Sequence, residues 1–188
     1  MLSGQRVRLA PLEKDDLPKA QLWVNDRELN QLMLRVLPVT RLDQERWLEE
    51  ITRNPSKVVF AIKLLESEAH IGNTGFYSID WIHRRAEFWI LMGERDHWGK
   101  GIGSEVAGLM LQFGFESLNL NRICLNVSSD NQRAISIYEK RNFVREGLFR
   151  EHCYIEGRYV DVIHMALLKR DYDSKMHSRE ASSPGGRN

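Results

Sequence analysis

The sequence predicts one α/β domain, and three observations carry that prediction. Three strand-like runs follow one another in the middle of the chain, Lys57–Leu64, Ile71–Ile79 and His83–Met92, with no helical segment between them. Segments with helical periodicity lie on either side of that block. The 188 residues are 42% hydrophobic and 28% charged, enough apolar material for one core, or for one domain and a tail.

The elements follow in order. Arg6–Ala10 alternates as a short strand that Pro11 ends. Asp15 or Asp16 caps a helix through about Trp23, with Leu17, Ala20 and Val24 on one face. Asn25–Thr40 reads as irregular and apolar-rich, a stretch that lines a pocket or packs on the sheet. A second helix is predicted over Asp43–Thr52, capped by Asp43, with Trp47, Leu48 and Ile51 inward. In the third central strand Ala86, Phe88, Ile90 and Met92 share one face, and Arg85, Glu87, Trp89 and Leu91 the other. A long helix then runs from Gly101 to Leu118, with Val106, Leu109, Met110 and Phe113 at helical spacing. Arg122–Val127 is a strand and Asn131–Arg141 a helix. The chain closes on a hairpin, Phe143–Ile155 and Arg158–Leu168, around a Glu156-Gly157 turn. The expected domain spans residues 1–172, and residues 173–188 have the composition of a flexible tail.

Charge and cysteine usage narrow the function classes. Lys and Arg number 27 against 26 Asp and Glu, and a net charge of +1 exerts no general pull on nucleic acid or anionic membranes. No apolar run approaches the roughly 18 residues of a membrane helix, and MLSGQRVRLA lacks the apolar core of a signal peptide. A cytoplasmic location is therefore expected. Cys124 and Cys153 fall in strand-like runs without metal-ligand spacing. They read as buried thiols of a reducing compartment, and no metal site is expected.

The chemistry concentrates in Trp98-Gly99-Lys100-Gly101-Ile102-Gly103-Ser104-Glu105, just after a predicted strand and at the mouth of a predicted helix. Glycines at alternate positions let the backbone approach an anion, and the helix N-terminus adds unpaired N–H groups and a favourable dipole. That arrangement suits a pyrophosphate. A P-loop is excluded because no lysine stands between Gly103 and Ser104. The late position, after three strands without crossover helices, argues against a dinucleotide-binding βαβ unit.

A second motif follows, Asn131-Gln132-Arg133-Ala134-Ile135-Ser136-Ile137-Tyr138-Glu139-Lys140-Arg141-Asn142-Phe143. Together the two stretches resemble the Gcn5-related (GNAT) N-acetyltransferase superfamily, with its Q/R-x-x-G-x-G/A loop and N-x-x-A-x-x-x-Y-x-K-x-G-F helix. The resemblance runs from about Arg6 to Tyr172. Within His83–Tyr172 it is most like the bacterial spermidine acetyltransferases and their relatives that acetylate ribosomal-protein N-termini. It implies a mixed, mostly antiparallel sheet, flanked by helices, whose two central strands, His83–Met92 and Arg122–Val127, are parallel and splay apart.

The resemblance also implies roles. Acetyl-CoA would be the co-substrate, with no metal. Its pyrophosphate would lie on Trp98, Gly99, Lys100, Gly101, Ile102, Gly103 and Ser104, and its pantetheine arm along Leu91 and Met92. Asn131 and Arg133 are further cofactor candidates, although an ordinary N-cap explains Asn131 equally well. Tyr138 occupies the general-acid position, and Glu87 is the candidate base, directly or through a water, against an ordinary ion pair with Arg84, Arg85 or another basic residue. His83, His152 and Tyr154 are weaker candidates; Arg145, Arg150 and Arg158 read as solvated charge. The chain departs from the family pattern at Trp98, usually Gln or Arg, and at Asn142, usually Gly. It also lacks any carboxylate between Leu29 and Thr40, where polyamine enzymes are acidic. The expected partner is a small-molecule amine or a protein N-terminus, with neither nucleic acid nor membrane; a homodimer fits the resemblance. The competing reading is a non-catalytic acyl-CoA-binding sensor.

Overall fold

A computed structural model describes residues 2–174, so residues 175–188 of the expected tail lie outside the described residues. Eight strands form a single sheet: β1 (Leu2–Ser3), β2 (Val7–Pro11), β3 (Val58–Leu64), β4 (His70–Asp80), β5 (Arg85–Met92), β6 (Arg122–Ser128), β7 (Val144–Ile155) and β8 (Arg158–Leu168). Their spatial order is β1-β2-β3-β4-β5-β6-β8-β7. Every neighbouring pair is antiparallel except β5–β6, which is parallel. The expected fold class is the one observed.

Helices cover both faces. On one side α4 (Ile102–Gln112) and α5 (Gln132–Lys140) bury Val106, Met110 and Ile135 against Phe88, Ile123 and Leu125. On the other side lie α1 (Leu17–Val24), α2 (Arg27–Leu32) and α3 (Arg41–Arg53). There Trp23 and Leu29 pack on Leu91, and Trp47, Leu48 and Ile51 pack near Ala61. The alternation of β5 explains both contacts: Ala86 and Phe88 enter the α4/α5 core, while Trp89 and Leu91 meet α1 and α2.

The chain ends its helices by chemistry that differs from expectation in several places. Asp43 does not cap α3. Thr40 does, its hydroxyl oxygen accepting from Asp43 N–H at 3.2 Å while the Asp43 carboxylate accepts from Thr40 N–H at 2.9 Å. Asp16 takes the N-cap position of α1, as expected, but its side chain makes no capping bond there. Its carboxylate accepts from Glu13 N–H at 3.0 Å and pairs with Lys63 at 3.0 Å, tying the 3-10 turn that precedes α1 to β3. Asn25–Thr40 is not wholly irregular, because Asp26 accepts from Leu29 N–H and starts α2. The long helix stops at Gln112 and continues as a π turn over Phe113–Ser117. That wider turn brings Gly114 against the sheet; a Cβ there would sit 2.7 Å from Ile123 Cδ1. The third central strand begins at Arg85, because residues 81–84 form a turn with Arg84 at φ 51°. Cys124 and Cys153 are free thiols, half-buried rather than buried.

Two turns follow the sequence closely. Asn142, at φ 70°, takes the left-handed position after α5 that glycine usually fills, and asparagine tolerates it. Phe143 N–H then bonds Tyr138 C=O at 3.0 Å and Asn142 N–H bonds Glu139 C=O at 2.9 Å, a Schellman closure completed by Tyr138–Phe143 ring contact. Glu156 and Gly157, at φ 49° and 83°, make the two-residue β7–β8 turn.

Candidate active site

The glycine loop is built to leave backbone donors open. Gly99 and Gly101 have φ 72° and 80°, and Gly101 is the N-cap of α4 without any side-chain cap. The first N–H groups of α4 are therefore left to a ligand or water. Gly103 serves differently: a Cβ there would lie 3.2 Å from Ile137 Cδ1, so this glycine lets α4 approach α5. The loop is pinned from below. Arg6 donates through its guanidinium to the Lys100 carbonyl and pairs with Glu105 at 3.0 Å. Glu105 also accepts from the N–H groups of Arg6 at 2.8 Å and Val7 at 3.3 Å. Burial opposes its ionisation, but these bonds outweigh it and hold the carboxyl below its usual range. Trp98 donates from its indole to Met92 C=O at 2.8 Å, fastening the loop to the end of β5. Arg133 lies over that indole at 4.6 Å. Asn131 spends its side-chain oxygen on the α5 N-cap, accepting from Ala134 N–H at 3.1 Å. Lys100 is exposed.

Beside the loop the sheet forks. The parallel ladder pairs Arg85, Ala86 and Glu87 with Arg122, Ile123 and Cys124 and then stops, while β5 runs on to Met92 and β6 to Ser128. Leu91 and Met92 thus edge the gap with backbone that β6 does not pair. Glu87 stands where the strands part. Asn126 Nδ2 donates to it at 3.0 Å across the fork, and Asn126 Oδ1 faces His164 Nδ1 at 2.8 Å. Neither Arg84 nor Arg85 takes the Glu87 carboxylate; Arg85 pairs with Asp80 at 3.4 Å instead. Beside Glu87, burial first and the nearby carboxylate second push the Cys124 thiol up.

Tyr138 lies on the opposite face. Its ring meets Phe88 edge-on at 6.1 Å and Phe143 at 5.7 Å, and only 6% of the residue is exposed. Burial alone pushes the phenol well above its ordinary value. Glu87 and Phe88 are consecutive and point to opposite faces, so Glu87 and the Tyr138 ring packed on Phe88 flank β5 from either side.

On the Glu87 face a cavity of about 420 Å³ opens between the sheet and α1–α3. Trp23, Met33, Trp47, Tyr77, Trp89 and Leu91 give it apolar walls. Trp47 donates from its indole to the Tyr77 hydroxyl at 3.1 Å, yet burial prevails and the Tyr77 phenol is pushed up to about 12.

The structure brings most expected site residues together: Leu91, Met92, Trp98, the glycines, Ser104, Arg133 and Glu87 surround the fork and its loop. It does not bring in the weaker candidates. His83 bonds Asp80 at 2.8 Å in the turn before β5, His152 stacks on Phe149, and Tyr154 is exposed beside Tyr159. Arg145 pairs with Glu139 and Arg158 with Asp130. Sequence reasoning missed Arg6, Glu105, Asn126 and His164, each of which acts through a partner 38 or more residues away. The pocket wall expected of Asn25–Thr40 is there, since Asn30, Met33, Leu37 and Val39 line the cavity; the parts of the wall from α1, α3 and β4 were missed.

A forked parallel pair beside an uncapped, glycine-opened helix start defines an acyl-CoA-type transferase fold. The chain belongs to the GNAT acetyltransferases: residues 6–144 match the acetyltransferase (GNAT) domain. It is 34% identical over 175 residues to the uncharacterized N-acetyltransferase p20 of Bacillus licheniformis, covering 91% of this chain and 97% of that one. It is 28% identical over 172 residues to spermidine N(1)-acetyltransferase of Escherichia coli K12, covering 92% and 91% respectively. Its structure superposes with a TM-score of 0.84 on spermidine N-acetyltransferase from Vibrio cholerae, crystallised with CoA and spermine. That match has 30% identity and covers 88% of this chain and 97% of the other. Among the described residues no helix is long and apolar enough to cross a membrane, and no His, Cys, Asp or Glu cluster is placed to hold a metal ion.

Proposed function

We propose that this chain transfers the acetyl group of acetyl-CoA to a primary amine by direct attack in a ternary complex. The fork supports this reading: Glu87 stands where β5 and β6 part on the cavity side, and Tyr138 packs against Phe88 on the other face of β5. When bound, acetyl-CoA supplies the thioester whose carbonyl carbon the amine attacks, forming C–N and breaking C–S. The open N–H groups after Gly101 hold the pyrophosphate, Lys100 faces solvent beside it, and the edge at Leu91 and Met92 that β6 leaves unpaired lines the pantetheine arm. Glu87, held by Asn126, takes the ammonium proton directly or through a water. Tyr138 gives its proton to the departing sulfur. A thiol in water has a pKa of about 8.5, well below a buried phenol, but the desolvation that raises the phenol raises a thiol beside it as well.

The acceptor is a small amine or a protein N-terminus. The test is CoA release, read with a thiol reagent, over polyamines, amino sugars, aminoglycosides and short peptides. Release with at least one amine is expected. Tight acetyl-CoA binding with no release from any acceptor overturns catalysis in favour of an acyl-CoA sensor.

A further inference from the structure

We infer that His164 is a positioning residue for the base: through its Nδ1–H it holds the Asn126 carboxamide in the orientation that turns N–H toward Glu87. The inference rests on the acetyl-transfer reading and deepens it by naming what keeps the base in place.

Glu87 and Cys124 are the last pair of the parallel ladder, so Asn126 is the next side chain on that face of β6 after the strands part. Its carboxamide spans the gap, donating from Nδ2 to Glu87 at 3.0 Å. An amide turned end for end would set Oδ1 against the carboxylate, and the base would exchange a donor for a repulsion. Asn126 is exposed, so packing does not prevent that turn. The restraint comes from the next strand.

His164 stands directly opposite Asn126 in the β6–β8 ladder, and its Nδ1 lies 2.8 Å from Asn126 Oδ1. Which of the two atoms donates is decided on the far side of the ring. Arg122 Nη2 lies 3.4 Å from His164 Nε2, and a guanidinium can only donate. Nε2 therefore accepts, the proton of the neutral ring sits on Nδ1, and Nδ1–H admits only the oxygen of the amide opposite.

Arg122 is itself anchored. Glu146 accepts from its Nη1 at 2.9 Å, and that pairing, ahead of other causes, holds the Glu146 carboxyl below its usual range. Glu146 reaches Arg122 where β7 shifts register between Arg145 and Gly147. Gly147, the partner of His164 on β7, brings no side chain against the ring. The donors thus share one direction, from Arg122 to His164 to Asn126 to Glu87. Polar side chains that merely met solvent would need no common direction. This chain runs from a group that can only donate to a carboxylate that accepts.

The test is an isosteric pair of variants, assayed with the best acceptor of the amine panel. The amide nitrogen of an asparagine takes the place of histidine Nδ1, and the amide of a glutamine takes that of Nε2. His164→Asn keeps a donor for Asn126 and should hold kcat within about twofold of wild type. His164→Gln keeps only the partner of Arg122 and should lower kcat by about three- to tenfold, the worth of one hydrogen bond, with the KM for acetyl-CoA unchanged. Because His164 acts through Asn126, adding His164→Gln to Asn126→Leu should cost nothing beyond Asn126→Leu alone. Three results overturn the inference: wild-type kcat in His164→Gln, an Asn variant no better than the Gln variant, or a double variant whose loss is the product of the two single losses. Glu87→Gln, assayed beside them, keeps the two readings apart. A slowed Glu87→Gln with an unaltered His164→Gln keeps the base and sinks the positioning residue. Wild-type turnover in Glu87→Gln sinks the base and leaves His164 as a restraint on Asn126 alone, which nitrogen NMR of the ring reads directly. The neutral ring should carry its proton on Nδ1 and lose that preference in Asn126→Leu. A proton on Nε2 overturns the inference whatever the chain turns over.

Discussion

Replacing Tyr138 with Phe separates a proton donor from a core side chain. The ring contacts at 6.1 Å to Phe88 and 5.7 Å to Phe143 survive the change. No hydrogen bond holds the hydroxyl among the described residues, so its removal orphans no partner. Stability should therefore shift by no more than ~0.5 kcal/mol. Tyr138→Ala would instead open a cavity in the core and cost about 3–5 kcal/mol. General acid catalysis is worth about 10²–10⁴-fold, or about 2.7–5.5 kcal/mol of barrier, and kcat of Tyr138→Phe should fall within that range at unchanged acetyl-CoA affinity. There is also a pH signature. The folded phenol titrates above its unfolded value of about 10, so its stabilising contribution is complete below that pH and is lost as pH rises past it. Tyr138→Phe should unfold less steeply with alkali than the wild type. The assay is CoA release and thermal melting on one preparation. Wild-type turnover in a normally folded Tyr138→Phe protein would refute the acid role and leave solvent as the donor.

Two further outcomes are expected. Gly101→Val forces a β-branched residue to φ 80° with its Cβ 3.3 Å from Arg6 Nη2, and calorimetry should find acetyl-CoA binding lost. Wild-type affinity in a folded Gly101→Val protein would remove the phosphate assignment from this loop. Asn126→Leu deprives Glu87 of its 3.0 Å partner, and kcat should fall by about tenfold with the acetyl-CoA KM unchanged. An unaltered kcat would show that Glu87 needs no support from across the fork.

Much of the fold was legible in local chemistry. The Gly99–Ser104 loop, the Asn131 cap and the Glu156-Gly157 turn each depend on residues within one or two turns of chain, and each appears where the sequence puts it. The misread caps are instructive. Thr40 and Asp43 stand three apart in a capping-box pattern, so that signal was present, and weighing Asp43 alone moved the cap by three residues and the helix start by two. The π turn after Gln112 was not legible, since its cause is the fit of Gly114 against Ile123 and Phe76, which neighbouring residues do not encode.

By itself the sequence determined the strands, the helices and the two motifs that mark a GNAT chain, because alternation, helical periodicity and turn chemistry act over a few residues. Tertiary structure alone decided that Glu87 meets Asn126 rather than a neighbouring arginine, that Arg6 and Glu105 brace the loop, and that Asn30, Gln44 and Trp89 share one cavity. Those contacts join segments far apart in the chain. Their geometry is fixed by where a twisted sheet forks and how two layers of helices close on it, and no local pattern in the chain records that distance.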